Sequence, residues 1–159
     1  MTISIGEKIP NISVYMPTVS GSKSIDTIEL FENKKVVLFG LPGAFTPTCS
    51  KKHLPGYITS SDQLTEKGVN SIICVSVNDA FVMGAWGKDQ GVEEKVIMVS
   101  DGTARFASAL GLAVDEGDDF GIRCQRFSML VNNGIVEILN LESEGGYHIT
   151  SAEHLLTQL

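Results

Sequence analysis

The sequence predicts an α/β fold with a central mixed β-sheet and helices on both of its faces. Short apolar runs rich in β-branched residues alternate with helix-forming segments, which is typical of this class. A hairpin signal is present near each end of the chain. With 159 residues, 43% hydrophobic and 19% charged, the chain suits one well-packed core and is too apolar for disorder. Residues 1–159 are therefore interpreted as a single domain.

The chain is expected to begin with a hairpin and a buried strand. Residues 11–30 contain alternating apolar side chains on either side of a possible Gly21-Ser22 turn, which predicts an N-terminal β-hairpin. The run Val36–Leu41 is apolar and rich in β-branched residues, so it fits a buried strand. Pro42-Gly43 ends this strand.

A long helix and a second buried strand follow. The helix is expected to begin near Thr46-Pro47, because proline is tolerated in the first turn and threonine can cap it. It is expected to continue to about Gly68, with a kink at Pro55-Gly56. The run Ser71–Val77 predicts the next buried strand.

Two further helices surround a third short strand. Asp79 is placed to cap a helix over residues 80–88. The strand is expected at Val96–Val99, and the next helix at Ala104–Leu110, where Gly111 ends it. The order of elements so far alternates strand and helix, as α/β sheets require.

The C-terminal part contains the clearest hairpin signal. Arg126–Val131 and Ile135–Leu139 are apolar runs separated by Asn133-Gly134, which favours a tight turn. Thr150 with Glu153 matches a capping box and predicts a final helix.

Charge and cysteine content limit the possible partners and the compartment. The chain has 12 Lys+Arg against 19 Asp+Glu, a net charge of −7. This balance disfavours nonspecific nucleic-acid binding and anionic membrane surfaces.

The first residues lack the pattern of a secretory signal, and the apolar stretch Val36–Phe45 is too short to span a membrane. Three cysteines do not form a disulfide scaffold in a chain of this length, so a cytoplasmic, reducing setting is expected.

Cys49 is the leading candidate for chemistry. It follows a strand and a Gly/Pro turn and lies in the first turn of the predicted helix. The positive end of a helix favours thiolate over thiol, but its effect at about 0.3–1 kcal/mol is small, so a nearby cation is needed. Alternatively, Cys49 is an inert buried residue, Thr46 is only a helix cap and Pro42 only ends the strand.

The pattern Pro42-x-x-x-Thr46-x-x-Cys49 resembles the active site of the peroxiredoxin family. The strings PGAFTPTCSKKHLPGY, SVNDAFVMGAW and RFSMLVNNGIV are similar to the type II or peroxiredoxin-5 subfamily, and the similarity covers nearly the whole chain. The resemblance implies a thioredoxin-like fold. It also implies a thiol peroxidase that reduces hydrogen peroxide and alkyl hydroperoxides in antioxidant defence and redox homeostasis.

The resemblance also implies roles for single residues. Cys49 would attack the peroxide and become a sulfenic acid. Arg126 would supply the cation and donate hydrogen bonds to the peroxide oxygens. Thr46 would form hydrogen bonds with the thiolate and the peroxide. Pro42 would pack over the sulfur, and the main-chain N–H of Cys49 would be a further hydrogen-bond donor.

Other polar residues near the motif have simpler interpretations. Arg123 and Arg105 are competing cations that are expected to lie on the surface. His53, four residues after Cys49, could orient the helix or help to form the pocket. A metal at Cys49 and His53 is disfavoured because zinc needs three or four ligands, so neither a metal nor another cofactor is expected.

The thiol that reduces the sulfenic acid is left open. Cys74 lies in an apolar run and has the pattern of a core residue, although it matches a resolving position in plant-like members of the subfamily. The C-terminal position that resolves in other members carries no cysteine here, and Cys124 is interpreted as incidental. We expect an external thiol, such as glutathione, glutaredoxin or thioredoxin, with a Cys49–Cys74 disulfide as the alternative.

Aromatic residues suggest a partner surface and a second class of function. Of Phe45, Phe81, Trp86 and Phe120, at least two are expected in the core. The resemblance implies a homodimer, with Phe45, Phe81 and Phe120 as interface candidates. A redox-switched binding or chaperone-like protein is an alternative function. A thiol transferase is disfavoured, because the Cys-x-x-Cys motif is absent.

Overall fold

A mixed sheet of seven strands organises the computed structural model, which describes residues 1–143 and 145–159. The strands are β1 (Ser13–Thr18), β2 (Gly21–Asp26), β3 (Lys35–Leu41), β4 (Ser71–Ser76), β5 (Ile97–Ser100), β8 (Phe127–Asn132) and β9 (Ile135–Leu141). Their order in the sheet is β2-β1-β5-β4-β3-β8-β9. A separate ribbon pairs β6 (Ala113–Asp115) with β7 (Ile122–Cys124).

Short helices connect and cover these strands. They are α1 (Thr27–Phe31), α2 (Leu54–Thr59), α3 (Ser61–Glu66), α4 (Ala80–Gln90), α5 (Arg105–Leu110), α6 (Gly117–Phe120) and α7 (Ala152–Thr157). A π-helical turn covers Cys49–His53, directly before α2. In the part of the chain described here, no helix combines the length and apolar character needed to cross a membrane.

The central strand β3 supplies side chains to two hydrophobic layers, one on each face of the sheet. Val36 and Leu38 belong to the layer that contains α1 and α5. Val37 and Phe39 belong to the layer that contains α2, α3, α4 and α7. Because β3 pairs in parallel with β4 and antiparallel with β8, the sheet is mixed. The predicted fold class is confirmed, as is the N-terminal hairpin formed by β1 and β2.

The pairing of β3 with β8 brings a distant part of the sequence to the end of β3. Gly40 on β3 lies opposite Phe127 on β8. A Cβ atom at Gly40 would collide with the Phe127 ring, so this close approach requires glycine. Arg126 directly precedes Phe127 and therefore lies beside the start of the loop that leads to Cys49.

The predicted long helix differs from the structure in the position of its break. The expected kink at Pro55-Gly56 is wrong, because α2 continues through both residues. Pro55 lies in the first turn of α2, where a missing N–H is tolerated. The break falls at Ser60, where a φ of −90° and a ψ of 3° separate α2 from α3.

The predicted cap of the final helix is also wrong. Ser151 caps α7, and its side chain accepts a hydrogen bond from the His154 N–H at 3.1 Å. The Thr150 hydroxyl instead donates to the Glu142 carboxylate at 2.8 Å. The ribbon of β6 and β7 was not predicted, since its strands have three residues each, too few to show a hydrophobic period.

Candidate active site

The loop that follows β3 carries Cys49 beneath the protein surface. Helical hydrogen bonding begins at Thr46, whose carbonyl accepts from the Ser50 N–H at 3.0 Å. Cys49 is the first residue of the π-helical turn, and none of its surface is exposed. The sulfur is therefore held inside the core. Its position near the start of a helical segment agrees with the sequence prediction.

Arg126 connects Cys49 to His53. Its Nη2 donates to the Cys49 Sγ at 3.3 Å, and its Nη1 donates to the His53 Nδ1 at 2.8 Å. The guanidinium carbon also lies 5.7 Å from the centre of the Tyr147 ring, within range of a cation–π contact. One guanidinium thus supplies positive charge and a directed donor to the sulfur.

His53 is a neutral hydrogen-bond acceptor toward Arg126. A guanidinium only donates, so Nδ1 must be the unprotonated nitrogen, and Nε2–H donates to the Thr150 carbonyl at 3.1 Å. Burial, and then the charge of Arg126, lower the pKa of His53 to about 3, while the bond to Thr150 opposes the shift. The ring therefore orients Arg126 and carries no charge near neutral pH.

Behind His53, polar groups fix the Thr150 carbonyl. The Tyr57 hydroxyl also donates to this carbonyl, at 2.9 Å. The Glu142 carboxylate accepts from the N–H groups of Ile149 and Thr150 and from the Thr150 hydroxyl. Burial alone would raise the pKa of Glu142, but these hydrogen bonds outweigh burial and hold the pKa below its ordinary value. The chain of contacts from Cys49 to Glu142 is hydrogen-bonded at each step.

Thr46 and Pro42 lie on the loop before the sulfur. The Thr46 hydroxyl donates to the Gly43 carbonyl at 2.7 Å, so its proton is not directed at Cys49. Pro42 is half-buried and, with Thr48 and Arg126, lines a cavity of about 490 Å³. Arg126, which donates to the Cys49 Sγ, is thus shared between this cavity and the buried sulfur.

The other two cysteines lie in different core layers, and no cysteine of the described residues forms a disulfide. Cys74 is fully buried on β4, in the same layer as Cys49, and burial raises its pKa well above the ordinary value. Cys124 is buried in the opposite layer, where burial and then the charge of Asp101 raise its pKa. Neither thiol is exposed to a partner.

Two arginines that were expected on the surface behave differently. Arg105 is exposed, as predicted. For Arg123 the prediction is wrong: its Nη1 donates to the carbonyls of Pro42 and Val77, each at 3.3 Å. The position of Arg123 on β7 was not predicted. The one feature of the sequence that could have placed it near the site is that it lies three residues before Arg126.

Tyr57, Glu142 and Thr150 were also missed as parts of the site. They act on Arg126 only through His53 or through each other. No motif in the sequence connects them.

The aromatic residues are more exposed than the sequence predicted. Phe45, Phe81 and Phe120 are 54%, 70% and 49% exposed, so only Trp86 of the four is in the core. The Trp86 indole N–H donates to the Ser50 hydroxyl at 3.0 Å, next to Cys49 in the chain. In the described residues, no three His, Cys, Asp or Glu side chains are grouped to hold a metal ion.

A buried cysteine with a guanidinium donor, after the end of the central strand of a mixed sheet of this topology, defines a thiol-based redox enzyme with a thioredoxin-like fold. Comparisons agree: the redoxin family model matches residues 4–156. The chain is 42% identical over 163 residues to the chloroplastic peroxiredoxin-2E of Arabidopsis thaliana, covering 99% of this chain and 70% of that protein. The chain belongs to the peroxiredoxin family and is a thiol-dependent peroxidase.

Solved structures of the family are closely similar. Reduced Prx3 of Vibrio vulnificus in complex with hydrogen peroxide has a TM-score of 0.95 and 48% identity, with 99% of each chain covered. The antioxidant protein of Plasmodium falciparum, described as a 1-Cys peroxiredoxin, has a TM-score of 0.90 and 34% identity, with 96% of each chain covered.

Proposed function

We propose that this peroxidase reduces hydrogen peroxide and alkyl hydroperoxides through a sulfenic acid at Cys49, which an external thiol then reduces. The observation that carries the proposal is the 3.3 Å contact between Arg126 Nη2 and Cys49 Sγ. A cation beside the sulfur favours the thiolate, which is the form that attacks a peroxide.

In the proposed reaction, the Cys49 sulfur attacks one peroxide oxygen. An S–O bond forms as the O–O bond breaks, and the sulfur gives up two electrons. The departing oxygen takes a proton and leaves as water or an alcohol. Arg126 donates toward the charge that develops on the oxygens, a contribution that is typically worth about 10²–10³ in rate per donor.

Thr46 and Pro42 are proposed to orient the peroxide. Because the Thr46 proton is held by the Gly43 carbonyl, the lone pairs of its hydroxyl are available to accept from the peroxide O–H. Pro42 forms the wall of the cavity beside Arg126 and limits the access of water. His53 is proposed as a positioning residue that fixes the rotation of the guanidinium.

An external reductant is supported by the burial of Cys74. This residue lies on β4, which is paired on both sides by β3 and β5. A Cys49–Cys74 disulfide requires Cα atoms within about 7 Å and access of both sulfurs to each other. The solved neighbour from Plasmodium falciparum is described as a 1-Cys enzyme, which supports recycling by glutathione, glutaredoxin or thioredoxin.

Intact-mass measurement after one equivalent of peroxide tests the proposal. We expect the reduced protein to gain one oxygen atom, and to gain a glutathione adduct when glutathione is present. Cys49→Ser should show neither product, whereas Cys74→Ser should show both. A loss of two hydrogen atoms that is absent from Cys74→Ser would establish the internal disulfide instead.

Exposed aromatic residues favour a homodimer. Phe45, Phe81 and Phe120 are large apolar side chains that a monomer would leave in water. Sedimentation of Phe81→Glu should show a smaller species than the unmodified protein. Val19→Glu, in the fully exposed turn between β1 and β2, is the matched control and should sediment like the unmodified protein.

A further inference from the structure

We propose that Arg123 is a positioning residue for peroxide reduction. It holds the backbone of the Pro42–Thr46 loop in place relative to the Cys49 sulfur. The inference rests on the proposed function, since it takes Cys49 as the attacking sulfur. In the described residues, Arg123 makes no hydrogen bond to Cys49, so it would act through the loop.

The guanidinium of Arg123 joins three backbone segments. Its Nη1 donates to the Pro42 carbonyl and the Val77 carbonyl, each at 3.3 Å. Its Nε donates to the Phe120 carbonyl at 2.9 Å, and its carbon lies 5.6 Å from the centre of the Phe120 ring. The side chain thus links the cysteine loop to the segment after β4 and to the end of α6.

Asn78 fixes the same loop two residues further on. Its Oδ1 accepts from the Ala44 N–H at 2.9 Å and from the Ser76 hydroxyl at 2.6 Å. The loop is therefore held to residues 77 and 78 at two points, Pro42 and Ala44. Both points lie between the end of β3 and Thr46.

Gly43 leaves the space that Arg123 occupies. A Cβ atom at Gly43 would lie 2.9 Å from Arg123 Nη1 and 3.2 Å from Thr46 Cγ2. The backbone of Gly43 does not require a positive φ, so alanine is compatible with the chain conformation. A methyl group there would displace the flexible end of Arg123 and would also require Thr46 Cγ2 to move by a few tenths of an ångström.

The expected cost follows from the geometry of the reaction. A shift of about 1 Å in groups that position a substrate can cost about 10²-fold in rate. Loss of the Arg123 hydrogen bonds frees the Pro42 carbonyl and, with it, the part of the loop that lines the cavity beside Arg126.

Three variants separate hydrogen bonding from packing. Arg123→Met keeps an apolar stem but loses all donors, and it should lower the second-order rate of Cys49 oxidation by at least about tenfold. Arg123→Lys places one donor near both carbonyls but loses the Nε bond to Phe120, so its rate should lie between those of Arg123→Met and the unmodified protein. Arg105→Met is the control for loss of a positive charge, because Arg105 is exposed outside the site.

Alkylation of Cys49 by iodoacetamide distinguishes positioning from a change in the sulfur. We expect the alkylation rate of Arg123→Met to stay within about threefold of the unmodified protein. The inference is overturned if Arg123→Met loses less than about tenfold in the peroxide rate, if Arg123→Lys is no faster than Arg123→Met, or if alkylation slows as much as peroxide oxidation.

Gly43→Ala tests the same contact with Arg123 retained, including the case in which Arg123→Met fails to fold. Measured in a Thr46→Ser background, which lacks the Cγ2 atom that the methyl group would also approach, it should slow peroxide oxidation by at least about fivefold, and by less than about twofold when Arg123→Met is also present, because the displaced Nη1 is then absent. A loss of less than about fivefold from Gly43→Ala, or effects of Gly43→Ala and Arg123→Met that multiply in this background, would overturn the inference. A failure of the unmodified protein to oxidise at Cys49 would instead reject the proposed function.

Discussion

The Nη2 of Arg126 lies 3.3 Å from the Sγ of Cys49, although the two residues are 77 positions apart in the sequence. The antiparallel pairing of β8 with β3 produces this proximity, since it places the start of one strand beside the end of the other. The second arm of the guanidinium is occupied by His53, so the donor that faces the sulfur has a fixed direction.

Replacement of Arg126 by lysine should test whether the reaction needs two donor groups on one side chain or only its positive charge. Arg126→Lys retains a cation, but one ammonium cannot reproduce two parallel donors to Sγ and Nδ1. We expect the rate of Cys49 oxidation by peroxide to fall by about 10²–10³-fold in single-turnover measurements. Arg105→Lys is the matched control, and a fall that is equal in both variants would contradict the assignment.

Thr46 should contribute through its hydroxyl oxygen. Thr46→Val keeps the shape of the side chain but leaves the Gly43 carbonyl without this donor and the peroxide without an acceptor. We expect a loss of about 10²-fold in the peroxide rate, and recovery to within about threefold in Thr46→Ser. A Thr46→Val protein that reacts as fast as Thr46→Ser would contradict a role for the hydroxyl.

His53 should make the stability of the protein sensitive to acid. Burial and the charge of Arg126 lower its pKa from 6.5 to about 3, so between these values the unfolded chain binds a proton that the folded protein excludes. The contribution is complete above pH 6.5 and is lost as the pH falls toward 3. Between pH 7 and pH 5, this single group should lower the free energy of unfolding by about 2 kcal/mol.

Urea unfolding at the two pH values measures this effect. In His53→Asn the pH-dependent component should disappear, whatever the stability of the variant at pH 7. His148→Asn removes an exposed histidine and should retain the pH dependence of the unmodified protein. Equal pH dependence in His53→Asn and the unmodified protein would mean that folding does not change the pKa of His53, which would contradict the prediction.

Trp86 should report on the oxidation of Cys49. It is the only tryptophan in the chain, it is fully buried, and its indole N–H donates to the hydroxyl of Ser50, the neighbour of Cys49. We expect its fluorescence to change in stopped-flow experiments at the rate at which the mass increases. Cys49→Ser should show no change with peroxide, and a change of the same size there would mean that Trp86 senses something else.

Local sequence was sufficient for the loop that carries the sulfur. Pro42, Thr46 and Cys49 lie within eight positions, and strand, turn and helix start follow from residue types that act on their immediate neighbours. The hairpin of β8 and β9 was predicted for the same reason, because Asn133-Gly134 specifies the turn between them.

The remaining contacts depend on side chains that meet only after the sheet has formed. Arg123 and Arg105 are alike as sequence features, yet one donates to the Pro42 carbonyl and the other is exposed. The difference lies in β7, a strand of three residues that pairs with β6 and has too little length for a periodic signal. Thr150 was predicted to cap α7, but its hydroxyl instead donates a hydrogen bond to the Glu142 carboxylate, which β9 brings near.

By itself, the sequence determined the α/β class, the place of Cys49 at a helix start and the family, because these depend on hydrophobic period, turn residues and a contiguous motif. The resemblance also indicated Arg126 as the cation at the sulfur, and the structure agrees. Only the tertiary structure decided that His53 is a neutral acceptor that holds the second arm of Arg126, and that Arg123 donates to the Pro42 carbonyl. These features depend on burial and on contacts between strands that are distant in the chain, which no local pattern of residues encodes.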